Sequence, residues 1–210
     1  TEMKISLIEP RSPDYHVYSG LAIPRLGLPM LGTILEEQGH DVTVYVEDVE
    51  EFTAQSALEV TRSDLVGISL LSSTAPRGYA MARLLNLRGV PVVFGGVHPT
   101  FVPEEPLKYG DYVIRGEAEY SFPALVKALE NGEDLSDVPN LLYREGDKIV
   151  HNEREQQCPD LDALPIPNLD LLDGRKDLAI FPALTTRGCP HACTFCSVSG
   201  MFGRAYRMTD

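Results

Sequence analysis

The residues with the clearest chemical potential are three cysteines that lie within eight residues near the end of the chain. Cys189, Cys193 and Cys196 follow the spacing CxxxCxxC, and Phe195 precedes the last of them. Three thiolates on one loop can bind three corners of a cubane iron–sulfur cluster, whereas an all-cysteine cluster made for electron transfer has a fourth protein ligand. The open fourth iron could chelate a small molecule with adjacent amine and carboxylate groups.

Other uses of these cysteines stay open at this point. A structural zinc site has four ligands, so His191 or the distant Cys158 would have to complete it. Disulfides would suit a secreted protein, but nothing else in the sequence suggests secretion. The grouping could also be accidental. Cys158 itself is interpreted as a plain thiol.

The elements that must position these cysteines alternate between short apolar runs and helical periods from Lys4 to about Leu129. Residues 65–71 form an almost continuous apolar run, which is typical of a strand buried on both faces. Five short strands separated by helices predict a doubly wound α/β fold, flavodoxin-like or Rossmann-like, with a parallel sheet of order 2-1-3-4-5.

Ligands of such sheets bind beyond the carboxyl ends of the strands, near the point where the strand order reverses. The loops of interest are therefore 9–27, 71–76, 95–103 and 115–118. Loop 9–27 is long for a strand-to-helix connection, and Gly95-Gly96 would let a ligand approach the backbone closely. The first strand is not followed by a dinucleotide-binding GxGxxG motif, and no phosphate-binding loop motif occurs.

The charge balance narrows the class of partner. The 210 residues include 18 Lys and Arg against 31 Asp and Glu, for a formal net charge of −13. This acidic balance disfavours a nucleic-acid groove and docking on anionic lipid. No run approaches the ~18 apolar residues of a membrane helix. Residues 1–5 have no signal-peptide pattern, so the expected location is the cytoplasm.

Three parts are predicted along the chain. They are a doubly wound domain over 1–140, a hairpin and linker over 141–178, and the start of a second domain over 179–210. The hairpin is indicated by apolar pairs on both sides of a Glu-Gly-Asp turn, and the linker by three prolines and interspersed acids. A strand over 179–185 would lead into the cysteines. Only 14 residues follow Cys196, so the second domain is expected to be cut short.

Several motifs together carry a resemblance to a known family. The segment 187–198, followed by MFGR at 201–204 and YR at 206–207, resembles the opening of a radical S-adenosylmethionine enzyme. PRLGLPML at 24–31, GHDV at 39–42, GGVHPT at 95–100 and RGEAE at 115–119 resemble the cobalamin-binding domain of one of its subfamilies. That subfamily includes radical methyltransferases and the anaerobic magnesium-protoporphyrin monomethyl ester cyclase.

The resemblance implies a set of cofactors and a chemistry. Cys189, Cys193 and Cys196 would ligate a 4Fe–4S cluster whose open iron binds S-adenosylmethionine, with the adenine near Phe195. One electron from an external donor would cleave the sulfonium to a 5′-deoxyadenosyl radical, which takes hydrogen from an unactivated carbon. In the methyltransferases, cobalamin carries the methyl group. The residues implied to lie near cobalamin are Ser69, Leu71, Ser72, Gly95, Gly96, His98, Gly116 and Glu117.

One loop departs from the pattern of cobalamin proteins that ligate cobalt through histidine, D-x-H-x-x-G. Asp14 and His16 have the right mutual spacing, but Ser19 stands where glycine is expected and Gly20 comes one residue late. His16 is therefore interpreted as a loop residue rather than a cobalt ligand.

The front part of a radical S-adenosylmethionine barrel would not be catalytically competent by itself. The substrate, and the choice between methylation and oxidative cyclisation, are not encoded in these residues. The alternative hypothesis is a non-catalytic cobalamin-binding module whose cysteines hold a structural zinc ion or remain unused. A signalling receiver domain is disfavoured, because no acidic acceptor ends the third strand.

Overall fold

The computed structural model describes residues 2–13, 23–153, 160–174, 178 and 180–209. Within these residues, the centre is a seven-stranded sheet of order β2-β1-β3-β4-β5-β6-β7. Its five parallel strands are β1 (Lys4–Glu9), β2 (Asp41–Val46), β3 (Leu65–Ser69), β4 (Val92–Gly95) and β5 (Tyr112–Ile114). The predicted doubly wound sheet and its order are confirmed.

Helices cover both faces of the sheet, because alternate side chains of each central strand point to opposite faces. One face packs against α1 and α5 through Leu35 and Leu125, and the other against α2 and α3 through Val60 and Leu85. The helices are α1 (Gly27–Glu37), α2 (Ala54–Val60), α3 (Ala75–Asn86), α4 (Val97–Phe101) and α5 (Ser121–Asn131). None of the helices in the described part of the chain has the length and apolar character that a membrane span requires.

The predicted hairpin forms and also extends the sheet. β6 (Leu141–Glu145) and β7 (Lys148–His151) are antiparallel to each other, and β6 pairs antiparallel with β5. Leu141 and Leu142 are fully buried, which explains why this hairpin packs onto the parallel strands rather than projecting into solvent.

The described part of the predicted linker packs on the sheet as well. Leu161 and Leu172 are buried, and the backbone N–H of Asp173 donates a hydrogen bond of 2.9 Å to the carbonyl of Val44 in β2. The N–H of Asn168 donates to the Thr33 hydroxyl of α1 at 2.7 Å. These residues therefore follow the edge of the sheet, because apolar side chains among the acids favour burial.

The cysteine segment contains two short strands and one short helix. β8 (Thr186–Arg187) pairs antiparallel with β9 (Arg207–Met208), and α6 (Val198–Phe202) lies between them. The strand that the sequence predicted over 179–185 is absent from residues 180–185, and residue 179 lies outside the described residues. Strand pairing begins only at Thr186, where β9 supplies a partner.

A sharp turn joins β4 to α4 at the carboxyl edge of the sheet. Gly96 has φ of 96° and ψ of −167°, a conformation that essentially only glycine adopts. A Cβ at Gly96 would lie 2.9 Å from the Leu70 carbonyl oxygen and 2.9 Å from Ser69 Oγ. The turn therefore depends on glycine both for its dihedral angles and for the close approach of β3.

We expect Gly96→Ala to lower the free energy of unfolding by roughly 3 kcal/mol, because it adds backbone strain and a steric clash. Gly89→Ala is the matched control, since Gly89 also has a positive φ of 72° but no atom within 4 Å of its Cβ position. The control should lose about 1 kcal/mol. Urea unfolding of both variants measures the difference, and equal losses would contradict the clash.

Two carboxylates end the first two strands in buried positions. Glu9 is 3% exposed, and its Oε1 forms a salt bridge with Arg25 Nε at 2.8 Å. Burial raises the pKa of Glu9 to about 7, against the opposing effect of Arg25. Glu47 follows β2 and is bound by the Arg77 guanidinium and by the backbone N–H of Arg11.

The raised pKa of Glu9 predicts a pH-dependent stability. The folded state binds this proton more tightly than the unfolded state, so the contribution of Glu9 to stability falls as pH rises from about 4.5 to about 7. Glu9→Gln removes this dependence. Relative to the wild type, the variant should gain on the order of 1–3 kcal/mol between pH 5 and pH 8 in urea unfolding.

Glu145→Gln on the exposed hairpin controls for the loss of a surface carboxylate in that experiment. The raised pKa of Glu9 would be refuted if Glu9→Gln and the wild type differed in stability by the same amount at pH 5 and at pH 8.

Candidate functional site

A cavity of about 930 Å³ opens at the carboxyl edge of the parallel strands. Its floor includes Gly67 and Ser69 of β3 and Gly95 of β4, next to the reversal of strand order between β1 and β3. Glu9 and Arg25 line it on the side of β1. The cavity therefore lies where the topology predicts a ligand.

The deep end of the cavity is an apolar slot between the sheet and helices α1 and α5. Leu7, Val93, Ile114 and Phe122 line this end together with Gly67. A Cβ at Gly67 would lie 2.8 Å from Leu7 Cδ2 and 3.5 Å from Phe122 Cζ. Leu7 and Phe122 thus pack directly against the backbone of Gly67, where β3 contributes no side chain to the lining.

Most residues that the sequence predicted near a cofactor contribute to this cavity. Ser69, Leu71, Gly95, Gly96, Gly116 and Glu117 all line it. They come together because each lies at, or shortly after, the carboxyl end of β3, β4 or β5.

Ser72 and His98 are not among the lining residues. The His98 ring lies within hydrogen-bond distance of Ser72 Oγ, at 3.1 Å, and of the Tyr79 hydroxyl, at 2.9 Å. Burial raises the pKa of Tyr79 above its ordinary value, with Glu105 adding to the effect. His98 is therefore engaged with α3, on the side of α4 away from the cavity.

A buried group of four charges closes one side of the cavity; we call Glu117, Glu119, Arg187 and Arg207 the charge clamp. Glu117 Oε1 binds Arg187 Nη1 at 2.7 Å and Arg207 Nη2 at 3.1 Å, and Glu117 Oε2 binds Arg207 Nη1 at 2.9 Å. Glu119 Oε1 binds Arg187 Nη2 at 2.6 Å. The clamp therefore joins the loop after β5 to both strands of the cysteine segment.

The clamp combines balanced charge with deep burial. The four side chains are between 4% and 10% exposed, and two positive charges face two negative ones. Burial alone would lower the pKa of Arg187, but Glu119 and Glu117 outweigh it and raise that pKa above its ordinary value. Removing one partner of such a buried pair typically costs about 3–5 kcal/mol.

One oxygen of the clamp has a hydrogen-bonding capacity that the described residues leave unused. Glu119 Oε2 is buried and has no hydrogen-bond partner among them. Glu119 also lines the cavity. A ligand with an N–H group could supply the donor that this acceptor lacks.

A second contact holds the cysteine segment near α4. The Thr100 hydroxyl accepts from the N–H of Gly116 at 2.8 Å and lies 3.4 Å from Met201 Sδ of α6. Gly200 packs so closely on Phe101 that a Cβ there would lie 2.6 Å from the Phe101 ring. α6 thus rests on the helix that follows Gly95-Gly96.

The cysteines lie beyond these contacts. Cys189 is half-buried, whereas Cys193, Cys196 and Phe195 are exposed. No three His, Cys, Asp or Glu side chains in the described ranges are arranged to hold a metal ion. The three thiols therefore share a loop without forming a preassembled metal site. Asp14, His16 and Cys158 lie outside the described residues.

Sequence reasoning assigned no role to Glu9, Arg25, Glu119, Arg187 or Arg207. Glu119, Arg187 and Arg207 lay within the quoted motifs, but pairing between residues far apart in sequence leaves no local pattern. Glu9 directly follows the predicted first strand, and this position could have marked it as a residue of the carboxyl edge.

The chain was compared with known protein families and with individual proteins of known sequence. A model of the B12 binding domain matches residues 16–126. The chain is 34% identical over 218 residues to an uncharacterized methyltransferase of Pyrococcus horikoshii, covering 98% of this chain and 47% of that protein. It is 29% identical over 226 residues to the anaerobic magnesium-protoporphyrin IX monomethyl ester cyclase of a Synechocystis species, covering 96% and 44%. The chain therefore spans less than half the length of these relatives.

The fold has a counterpart among solved structures. The cobalamin-dependent S-adenosylmethionine radical enzyme OxsB, solved with aqua-cobalamin and S-adenosylmethionine bound, matches 99% of this chain and 30% of its own. The TM-score is 0.80 at 22% identity, which is a likeness of fold. The matched family model covers more than half of the chain and agrees with the motifs of its first part. The chain belongs to the B12-binding domain family, and it is homologous to this methyltransferase and to the cyclase.

Proposed function

We propose that the cavity binds cobalamin and that the chain is the cobalamin-binding part of a radical S-adenosylmethionine enzyme. The observation that carries the proposal is the cavity at the carboxyl edge of the sheet, whose floor residues Gly67, Ser69 and Gly95 all fall within the matched B12-binding residues. The reaction is proposed as methyl transfer or oxidative cyclisation, because the relatives include a methyltransferase and a cyclase.

The residues of the cavity fit this cofactor in three respects. Gly95, Gly96 and Gly116 line the cavity without a side chain, so a broad flat ring could approach the backbone at these positions. The apolar slot would take an extended tail, and Glu119 Oε2 would accept from an amide of the ring periphery. When bound, cobalamin supplies methyl-transfer chemistry, while this chain positions it and excludes water.

The proposed second cofactor is a 4Fe–4S cluster with S-adenosylmethionine. Cys189, Cys193 and Cys196 would ligate the cluster, and Phe195 would lie near the adenine. In the structure the thiols do not stand in a metal-holding arrangement, so the loop would have to draw them together. The exposure of Cys193 and Cys196 leaves them accessible for this step. An external electron donor and a cytoplasmic location belong to the same proposal.

The separated thiols also favour a second candidate function. It is a non-catalytic cobalamin-binding module whose cysteines hold zinc or remain unused. The two functions differ in the metal that the cysteine loop accepts, and therefore in metal content.

We expect hydroxocobalamin to bind the chain with a shift in its visible absorption spectrum. Val97→Trp, which places a large ring in the cavity wall, should weaken binding at least tenfold by filling that space. Leu87→Trp is the matched control, because Leu87 is 81% exposed on α3's carboxyl end and lies outside the cavity. An unchanged wild-type spectrum, or equal affinities for both variants, would argue against a cobalamin site.

Anaerobic reconstitution with iron and sulfide tests the cysteine loop. Cys193→Ser should reduce the bound iron and the cluster absorbance severalfold, because one of three thiolate ligands is lost. Cys158→Ser controls for the loss of a thiol outside the motif. Zinc retained in place of iron, or equal iron content in both variants, would favour the non-catalytic module.

A further inference from the structure

Two of the cavity's walls come from distant parts of the chain. One wall is the edge of the parallel sheet, and the other includes Leu184, Arg187, Met201 and Phe202 of the cysteine segment. A ligand in this cavity would therefore contact both the sheet and the segment that carries the cysteines.

The charge clamp fixes the second wall to the first. Arg187 and Arg207 are register partners across β8 and β9, and their guanidinium groups both bind the carboxylate of Glu117. Arg207 Nη2 also donates to the carbonyl of Phe202 at 2.9 Å. One carboxylate thus holds both strands and the end of α6.

The clamp also lies close to the first cysteine. Arg187 precedes Cys189 by two residues, and the N–H of Cys189 donates to the carbonyl of Gly203 at 3.1 Å. Only two peptide units therefore separate the clamp from the first cysteine.

We propose that Glu117 is a positioning residue which couples the ligand of the cavity to the cysteine loop. This inference rests on the proposed cobalamin site. With the clamp closed, cobalamin contacts both walls and stabilises the docked cysteine segment. With the clamp open, the segment loses its attachment and the ligand loses one wall. Because coupling between sites is reciprocal, loading the cysteine loop with iron also tightens cobalamin binding.

Hydrogen exchange read by mass spectrometry tests the first half of the coupling. In the wild type, saturating hydroxocobalamin should slow amide exchange at least tenfold in peptides from residues 183–209, as well as at the sheet edge. In Glu117→Gln, the affinity for cobalamin should fall at least tenfold, and saturating cofactor should no longer protect residues 183–209. Without cofactor, amide exchange in β1 and β3 should be the same in Glu117→Gln as in the wild type, which would show that the sheet of the variant remains folded.

Two further variants separate the clamp from a general loss of charge. Glu133→Gln removes an exposed carboxylate after α5 and should behave like the wild type. Arg207→Lys keeps the positive charge but loses the planar two-pronged contact, and it should show a smaller loss of affinity than Glu117→Gln. It also serves in place of Glu117→Gln if that variant does not fold.

The reciprocal measurement distinguishes positioning from a purely structural role. The dissociation constant of hydroxocobalamin is measured before and after iron–sulfide reconstitution. It should fall severalfold in the wild type and stay constant in Glu117→Gln.

The outcomes separate the two proposals. Cobalamin binding by the wild type without protection of residues 183–209 would overturn the coupling and leave the cobalamin site intact. The coupling would also be overturned if Glu117→Gln kept the wild-type affinity for cobalamin and the wild-type protection of residues 183–209. No binding by the wild type would overturn both proposals.

Discussion

The carboxylate of Glu117, bound by two arginines that face each other across a small sheet, sets the relation between the two parts of this chain. Removing these charges from water costs nearly as much free energy as their attraction returns, so the clamp adds little net stability. Another docking of the cysteine segment that kept these side chains buried would leave a charge without its partner. The clamp therefore acts mainly by selecting one arrangement, and the walls of the cavity depend on that selection.

The cavity itself follows from the topology of the sheet. Parallel strands end at one edge, and the connections leave that edge in opposite directions on the two sides of the reversal point. At Gly96 the chain turns sharply enough to bring the start of α4 against β3, and at Gly67 the core lacks a side chain. Both glycines line the cavity, and neither places a side chain in it.

The five parallel strands and their order were predictable from the sequence, because burial on both faces leaves continuous apolar runs such as 65–71. Gly95 and Gly116 were predictable as cavity residues, since each lies where a strand ends, whereas Ser69 was implied only by the family resemblance. The extension of the sheet by the hairpin was not predictable, because an apolar pair such as Leu141 and Leu142 does not reveal which element buries it.

The pairing of Glu119 with Arg187 spans 68 residues and has no periodic pattern in the sequence. The side on which His98 lies depends on the turn into α4, which strand patterns do not encode.

The two outer strands of the sheet, β2 and β7, determine whether copies of this chain can pair edge to edge. An open strand edge offers unpaired backbone groups to a second molecule and invites aggregation. At β2 this edge is partly covered, because Leu172 forms a parallel bridge with Val44 and Asp173 donates to the Val44 carbonyl. At the opposite side the last strand is the short β7, which begins with exposed Lys148. The segment that resembles a spacer in the sequence thus protects the sheet against intermolecular strand pairing.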